Sequence, residues 1–456
     1  MPTIMKPLLI LINPWIYDFA AYDLWSKPLG LLHLASHLRR SGFRVHLIDC
    51  LDVHHPEMKE TRAISRPVRR LYGTGRFWKE NIPKPSPLKD IKRRYSRYGI
   101  SRQLFKKALE GIQYPAAILV TSLMTYWYPG VQEVIHLVKE THPEVPVILG
   151  GIYARLCSQH AMRCSGADHV VTEGGSGAIT SVLHILEEYG ARPMPDARSS
   201  HSLTYPAFDL LRRIDAVSIQ TSNGCPYKCH YCASPFLNPG FIRRDPDDVL
   251  EEILYWHRDY AVQDFAFYDD ALLVGSETHM AVLLENLIRC RLNVRFHTPN
   301  ALHVREVGPE IASLLFLSGF RTIRLGLETS DMELHQEVDK KVSEGEFESA
   351  VDSLIRAGFT RREIGAYVLT GLPGQSVDSA IDTIKFVDKA GATPYLAEYS
   401  PLPHTPLWEN ALSCSSHDLS EPLFHNNTLL PCWDEGQRSR VPELKKLVQS
   451  IRRRDA

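Results

Sequence analysis

Three cysteines, Cys225, Cys229 and Cys232, fall within eight residues of the 456-residue chain. Three and then two residues separate them, so their thiols must converge locally. Gly224 and Pro226 bracket the first cysteine and favour a turn over a helix or strand. In a reducing compartment, such a trio indicates a metal site and not a disulfide with one thiol left over.

The number of thiols limits the kind of metal. Structural zinc takes four protein ligands, and no second cysteine pair lies at zinc-finger spacing; His230 would have to strain backwards to complete such a site. A [4Fe–4S] cluster normally takes four thiolates, so three leave one iron open to a substrate or cosubstrate. Zinc or incidental cysteines remain the alternative interpretation.

The Cys-x-x-x-Cys-x-x-Cys spacing, with Tyr231 just before the last cysteine, resembles the radical SAM superfamily. The resemblance implies that the open iron binds the amino and carboxylate groups of S-adenosylmethionine. One electron from the cluster then cleaves this cosubstrate to a 5′-deoxyadenosyl radical. It also implies an electron donor such as flavodoxin or ferredoxin.

The composition is that of an ordinary globular protein, with 44% hydrophobic and 23% charged residues. A net charge of −1 argues against extensive nucleic-acid or membrane binding. No apolar run approaches the ~20 residues of a membrane span, and the first residues lack a signal-peptide pattern. We therefore expect a cytoplasmic protein. We also expect buried free thiols at the other cysteines, which are Cys50, Cys157, Cys164, Cys290, Cys414 and Cys432.

Strands and helices alternate in the first part of the chain, residues 1–190. The predicted strands are 7–12, 45–48, 117–122, 145–149 and 169–171, and the predicted helices include 29–40 and 131–140. This alternation predicts a doubly wound, Rossmann- or flavodoxin-like parallel sheet. Ligands on such sheets bind beyond the carboxyl ends of the strands.

Glycines directly follow two of these strands, at Gly150-Gly151 and at Glu173-Gly174. They let a backbone approach a large ligand, although tight turns alone could also require them. Together with Pro28-Leu29-Gly30, the pattern resembles the cobalamin-binding domain found ahead of many radical SAM cores, over roughly 7–60 and 115–190. The resemblance implies a cobalamin cofactor near Ser122, Gly150, Gly151, Glu173 and Gly174.

The loop after the first strand departs from that family. Many cobalamin domains carry Asp-x-His-x-x-Gly there, whose histidine replaces the lower axial ligand of cobalt. Residues 13–19 contain no histidine, and Asp52-Val53-His54 follows the second strand without the glycine. We expect cobalamin without an imidazole on the cobalt, or a cobalamin-free structural domain as the alternative.

A basic insertion at about 56–113 interrupts the sheet pattern. Between Arg62 and Lys107 it holds fifteen Lys and Arg against two acids, with several aromatic residues interleaved. Such a segment can bind phosphates or stack on bases. We favour a solvated helical arm packed on the catalytic barrel and expect no nucleic-acid partner.

A linker at 191–215 leads into a second domain at 216–410. Its predicted strands are 216–220, 264–268, 294–297, 321–327, 364–369 and 394–399, most of them followed by a helix. Six β/α units predict a partial (β/α)6 barrel, as in the radical SAM superfamily, with the site at the carboxyl ends of the strands.

Polar residues follow the strands in order: Asp269 and Asp270, then Asn300, then Glu328. An acid after a strand is commonly a helix cap. The ordered series resembles the branch with cobalamin-dependent methylases and anaerobic cyclases. By that resemblance Tyr231 flanks the adenine, while Glu328 and Asp269 or Asp270 bind polar parts of S-adenosylmethionine, with Asn300 in the same site. Carboxylates suit its ammonium and ribose hydroxyls.

Residues 411–456 form a C-terminal extension without metal-ligand spacing, for which we favour an extended tail ending in a basic helix over a cover for the barrel mouth. The resemblances imply a transferase that methylates or rearranges an unactivated carbon of a small-molecule or lipid-like substrate. The alternatives are a cobalamin-free radical SAM enzyme and an RNA methylthiotransferase. The latter needs a second cluster, for which Cys50, Cys157 and Cys164 are unsuitably placed.

Overall fold

The computed structural model describes residues 6–60, 64–194 and 205–454. The chain divides into two compact units, Met1–Ile214 and Asp215–Ala456. Part of the predicted linker, residues 195–204, lies outside the described residues. Each unit is built on a parallel sheet with helices between its strands, so the predicted α/β class is confirmed.

The strands of the first unit are β1 (Leu8–Asn13), β2 (Ile16–Asp18), β3 (Arg44–Asp49), β4 (Lys79–Ile82), β5 (Tyr95–Tyr98), β6 (Ala117–Val120), β7 (Val147–Leu149) and β8 (His169–Val170). Its helices are α1 (Leu29–Arg40), α2 (Arg102–Glu110), α3 (Tyr128–Thr141), α4 (Ile152–Leu156), α5 (Ser158–Cys164) and α6 (Gly175–Glu188).

Five of these strands form a parallel sheet in the order β3-β1-β6-β7-β8. This is the flavodoxin-like order, in which ligands bind beyond the carboxyl ends of the strands. The interior strand β1 is fully buried from Leu9 to Ile12, as a continuous apolar run covered on both faces requires. All five predicted strands and both predicted helices are present.

The basic insertion is not the helical arm that we expected. Its strands β4 and β5 form an antiparallel sheet with β2, in the order β2-β5-β4. Part of its positive charge is used within the first unit, because Arg97 lies over the ring of Trp15 at 5.1 Å and Arg93 over that of Phe19 at 4.6 Å. Such cation–π contacts favour folding of the segment against aromatic residues over free solvation.

The strands of the second unit are β9 (Val217–Ile219), β10 (Ser222–Gly224), β11 (Phe241–Arg243), β12 (Asp264–Phe267), β13 (Arg295–His297), β14 (Leu302–His303), β15 (Phe320–Glu328), β16 (Ile364–Thr370) and β17 (Thr393–Glu398). Its helices are α7 (Ser234–Leu237), α8 (Pro246–Tyr260), α9 (Met280–Cys290), α10 (Pro309–Ser318), α11 (Met332–Val338), α12 (Glu346–Ala357), α13 (Val377–Lys389), α14 (Trp408–Cys414), α15 (Glu435–Ser439) and α16 (Val441–Arg454).

Six parallel strands of this unit lie side by side in chain order, β9-β12-β13-β15-β16-β17, with β14 paired to β15. Their core is aromatic, since Phe265, Phe267, Phe296 and Phe320 are buried with ring centroids 5.4–5.9 Å apart. The sequential order brings all six carboxyl ends to one edge, as a partial barrel requires. None of the helices in the described ranges is both long and apolar enough to cross a membrane.

The C-terminal extension is folded onto the second unit and is not the extended tail that we expected. Ala411, Leu419 and Cys432 share a hydrophobic cluster with Leu369, Leu372 and Tyr399, and Tyr231 packs against it. Hydrogen bonds join the extension to loops after β16 and β17, from Gln437 to the Gln375 carbonyl and from Ser400 to the His425 carbonyl. It therefore covers part of the carboxyl edge.

The cysteines outside the motif differ in exposure. Cys50 and Cys432 are buried, as expected, whereas Cys164, Cys290 and Cys414 are exposed and Cys157 is half-buried. The expectation of buried thiols is therefore wrong for the last four.

Candidate functional site

The loop between β10 and α7 carries the three predicted ligand cysteines. Gly224 opens it with a φ of 81°, and a Cβ there would lie 2.1 Å from the Gly240 carbonyl oxygen, so only glycine fits. The middle of the loop is anchored at His230. Its N–H donates to the Val338 carbonyl at 2.7 Å, and its carbonyl accepts from the Leu407 N–H at 3.0 Å.

The three thiols lie within electrostatic reach of one another. Cys229 is buried and the other two are half-buried. Burial raises the pKa of all three, that of Cys229 to about 11, and a neighbouring thiol of the motif raises each further.

The three thiols are the donor set of this loop. No three His, Cys, Asp or Glu side chains in the described ranges are arranged to bind one metal ion. A cluster has a different requirement, because each thiolate binds its own iron and the thiols surround the inorganic core. Three thiolates suit an iron–sulfur cluster with one iron left open, whereas structural zinc needs a fourth protein ligand.

Asp269 connects the carboxyl end of β12 to the start of β10, the strand that leads into this loop. Its Oδ1 accepts from the backbone N–H and the hydroxyl of both Thr221 and Ser222, at 2.6–2.9 Å. Its Oδ2 is buried and has no hydrogen-bond partner among the described residues. Burial raises the pKa of this carboxyl to about 6, although the four hydrogen-bond donors act to lower it. In this structure Asp269 orients the loop.

Asp270 and Asn300 extend the same connection. Asp270 accepts from the hydroxyl of Ser234, two residues after Cys232. The Asn300 amide donates to the carbonyls of Tyr268 and Asp269 at 3.0 and 3.1 Å. Both residues thus lie at the carboxyl edge beside the loop, and their contact with a cosubstrate stays a prediction.

Glu328 ends β15 in a left-handed conformation, with a φ of 67° that is uncommon outside glycine, next to an irregularity in the pairing with β16. Its carboxylate is buried, and Oε1 lies 3.4 Å from Nζ of Lys341. Burial alone would lower the pKa of the Lys341 ammonium. The negative charges of Glu328 and Cys229 outweigh burial, so this pKa is raised above its usual range.

Tyr231 joins the cysteine loop to the same group of residues. Its ring centre lies 5.5 Å from Nζ of Lys341, and its hydroxyl donates to Asp339 Oδ2 at 3.3 Å. Asp339 Oδ1 also accepts from the Lys341 N–H at 3.0 Å and pairs with the buried ring of His335 at 2.9 Å. Although burial favours neutral forms, these contacts raise the pKa of His335 and lower that of Asp339. This pair fixes the segment that carries Lys341.

A second candidate site lies at the carboxyl edge of the first unit. Ser122 donates through Oγ to the Gly150 carbonyl at 2.7 Å, and its own carbonyl accepts from the Ile152 N–H at 2.9 Å. Gly151 has a φ of 98°, and a Cβ there would lie 2.2 Å from the Ser122 oxygen. A Cβ on Gly150, in contrast, would point into open space. The edge is therefore open at Gly150.

The neighbouring strand end differs in its surroundings. Glu173 and Gly174 are exposed, and a Cβ on Gly174 would lie 2.8 Å from the guanidinium of Arg155. A bulky side chain at Gly174 would have to displace Arg155. The segment that follows β1 contains no histidine and forms strand β2.

Comparison with protein families matches residues 219–387 to the radical SAM superfamily and residues 105–183 to the B12 binding domain. The chain carries a B12-binding domain and a radical SAM domain. A radical SAM domain implies a [4Fe–4S] cluster and S-adenosylmethionine, and a B12-binding domain implies cobalamin. The comparisons do not support the cobalamin-free and RNA methylthiotransferase alternatives.

Two curated relatives are named methyltransferases. The chain is 22% identical over 334 residues to the uncharacterized methyltransferase PH0819 of Pyrococcus horikoshii, covering 66% of the chain and 70% of the relative. It is 25% identical over 280 residues to the uncharacterized methyltransferase sll1242 of Synechocystis, covering 58% of the chain and 50% of the relative. The chain thus spans only half the length of the second relative.

The fold is also that of a solved structure. The radical S-adenosylmethionine methyltransferase TsrM of Kitasatospora setae, with cobalamin and a [4Fe–4S] cluster bound, superposes with a TM-score of 0.64. The match covers 90% of this chain and 75% of TsrM at 17% identity. This chain and TsrM therefore share a fold.

Three residues of the radical SAM domain were not singled out from the sequence, namely Lys341, Asp339 and His303. His303 lies against the ring of Tyr227 in the cysteine loop, with centroids 4.3 Å apart, and its buried Nε2 has no partner among the described residues. One signal was available, since His335 and Asp339 are four residues apart and therefore neighbours on a helical turn. No comparable signal in the sequence marks Lys341, because its position depends on the path of the segment after Glu328.

Proposed function

We propose that this radical SAM enzyme methylates an unactivated carbon of a small-molecule or lipid-like substrate, using S-adenosylmethionine and cobalamin. The observation that supports it most is the pairing in one chain of a three-thiol loop with an open, glycine-lined sheet edge in the segment matched to the B12-binding domain. When bound, the cluster supplies an electron and cobalamin supplies a carrier for the methyl group.

The residues of the chain have separate tasks in this proposal. Cys225, Cys229 and Cys232 hold the cluster, and Asp269 orients their loop. Glu328, Asp270, Asn300 and Tyr231 surround the cosubstrate, while Ser122, Gly150, Gly151, Glu173 and Gly174 line the cobalamin edge. We also propose residues 1–190, 216–410 and 411–456 as the functional segments and a flavodoxin or ferredoxin as the electron donor.

The test is turnover of S-adenosylmethionine by anaerobically reconstituted protein with dithionite as the reductant. Methyl transfer predicts cobalamin-dependent formation of S-adenosylhomocysteine, together with 5′-deoxyadenosine. The variant Cys225→Ala/Cys229→Ala/Cys232→Ala should form no 5′-deoxyadenosine. Formation of 5′-deoxyadenosine alone, unchanged by cobalamin, would overturn the methylation proposal in favour of cobalamin-free radical chemistry.

A further inference from the structure

Lys341 brings a buried positive charge to the cysteine loop. Its side chain is only 7% exposed, and Nζ lies 3.4 Å from Glu328 Oε1 and 5.5 Å from the centre of the Tyr231 ring. Tyr231 immediately precedes Cys232. The ammonium therefore lies beside the loop, near both a carboxylate and an aromatic ring.

The backbone around Lys341 is fixed as well. Asp339 Oδ1 accepts from the Lys341 N–H and from His335, and Asp339 Oδ2 accepts from the Tyr231 hydroxyl. The same carboxylate thus contacts both the lysine segment and the cysteine loop. This arrangement restricts how far the ammonium can move from the thiols.

The charge of Lys341 acts on all three thiols of the motif. The Lys341 ammonium lies within electrostatic reach of Cys225, Cys229 and Cys232. The Asp270 carboxylate lies within the same reach of Cys225 and Cys232, and the carboxylates of Glu328 and Asp339 lie within that of Cys229. Three carboxylates and the Lys341 ammonium thus lie near thiols that are buried or half-buried, where charges interact more strongly than in bulk water.

We propose that Lys341 raises the reduction potential of the cluster. The proposal depends on the proposed function in one respect, namely that the three cysteines hold a [4Fe–4S] cluster. Reduction adds one electron from an external one-electron donor, and it makes no bond and takes up no proton. Because the added charge is negative, a nearby fixed cation stabilises the reduced form, and net charge is one of the factors that set the potential of such clusters.

The test is a potentiometric titration followed by the paramagnetic signal of the reduced cluster, on cobalamin-loaded full-length protein without S-adenosylmethionine. Lys341→Met should make reduction about tenfold less favourable, which is a midpoint about 59 mV lower for a one-electron couple. Lys341→Arg, which keeps the charge, should retain the wild-type midpoint. Asp270→Asn should move the midpoint in the opposite direction.

Lys228→Met provides the matched control. Lys228 lies next to Cys229 in sequence but is exposed, so water and salt screen its charge. The cluster midpoint of Lys228→Met should differ from the wild-type value by less than half of the Lys341→Met shift. Equal shifts in the two variants, or an unchanged midpoint in Lys341→Met with full iron content, would overturn the proposal.

A variant that loses its iron is also informative. The double variant Lys341→Met/Glu328→Gln removes both members of the ion pair and so leaves no unpaired carboxylate buried. Its midpoint should still be lower than that of the wild type. Loss of iron from this double variant as well would assign Lys341 a structural role and overturn the proposal. Wild-type protein that binds no cluster would instead contradict the proposed function, so the two failures are distinguishable.

Discussion

Asp269 holds Ser222 through one carboxylate oxygen, which accepts the backbone N–H at 2.6 Å and the hydroxyl at 2.7 Å. The neighbouring Thr221 donates to the same oxygen. In Asp269→Asn an amide replaces one of the two buried oxygens, so some of these donors or the new amide lose their partners. We expect the free energy of unfolding of the apoprotein to fall by roughly 1–3 kcal/mol at pH 5, measured by denaturant titration.

The control for this change is Asp245→Asn. Asp245 also accepts a backbone N–H, from Asp247 at 2.8 Å, but it caps helix α8 at an exposed position. Asparagine caps helices about as well as aspartate, so we expect little change in stability. An equal loss in both variants would show that burial of Asp269 contributes nothing.

The stability difference between wild type and Asp269→Asn should depend on pH. Burial raises the pKa of Asp269 from 3.8 to about 6. A carboxyl whose pKa is raised by folding contributes stability that is present below the unfolded value and is lost as pH rises through the folded value. Asparagine does not titrate, so the deficit of the variant should shrink by roughly 1–3 kcal/mol between pH 4 and pH 7. A deficit that stays constant over this window would contradict the raised pKa.

Each cysteine of the loop should be required for iron. Reconstituted wild type should bind about four irons per chain, and Cys225→Ala, Cys229→Ala or Cys232→Ala should bind far less, because each thiolate holds its own iron. Cys290→Ala is the matched control, since Cys290 is a free, exposed thiol at the end of α9. Iron analysis and the absorption spectrum measure both. Full iron content in the triple variant would contradict the assignment.

Glu328→Gln should weaken the binding of S-adenosylmethionine while the iron content stays unchanged. Loss of one charge-assisted hydrogen bond in a partly buried site costs roughly 1.5–3 kcal/mol, about ten- to a hundredfold in affinity. Equilibrium dialysis against the oxidised, cluster-loaded protein measures this. Glu333→Gln, at an exposed position on α11, should bind as wild type does. Unchanged affinity in Glu328→Gln would limit Glu328 to its ion pair with Lys341.

Gly150→Val should abolish cobalamin binding without unfolding the protein, because the added side chain points into open space in the protein alone. Gly308→Val, which also faces open space but lies in the second unit, should retain cobalamin. Absorption of the bound cofactor after gel filtration measures retention. Wild-type retention by Gly150→Val would place the corrin elsewhere.

The bound cofactor should carry no protein imidazole on cobalt. The chain after β1 offers no histidine, so the paramagnetic spectrum of the Co(II) state should lack nitrogen hyperfine splitting from an axial ligand. A clear splitting would contradict this and point first to His54, whose backbone N–H donates to Asp52 Oδ1 at 2.8 Å. The variant His54→Ala would then remove the splitting.

Both parallel sheets could be predicted from the sequence because their signals are local. Apolar runs such as Leu8–Asn13 and Ile364–Thr370 mark buried strands, and the residues that follow them mark the carboxyl edge. The strands of the insertion could not be predicted. Lys79–Ile82 is short, polar and without alternation, and its partner Tyr95–Tyr98 pairs with Ile16–Asp18, far away in the chain.

The candidate site shows the same division. The three cysteines and the acids after the strands were found because each stands directly beside a recognisable turn or strand end. The contact between Glu328 and Lys341 could not be found from the sequence, because it depends on the left-handed turn at Glu328 and on the fold of the next residues. The four hydrogen bonds that Asp269 Oδ1 accepts likewise depend on the pairing of strands β9 and β12.

Tyr231 packs against a hydrophobic cluster that includes Leu419 and Cys432 of the extension, and this packing orders events during synthesis of the protein. The cysteine loop leaves the ribosome well before its cover, because about 200 residues separate Tyr231 from Cys432. At roughly 5–20 residues per second, this interval lasts roughly 10–40 s. During that time the loop lacks the contacts that the extension later makes around Tyr231. In the folded protein Cys225 and Cys232 stay half-buried, so the extension covers the side chain between the thiols and leaves these two thiols partly exposed.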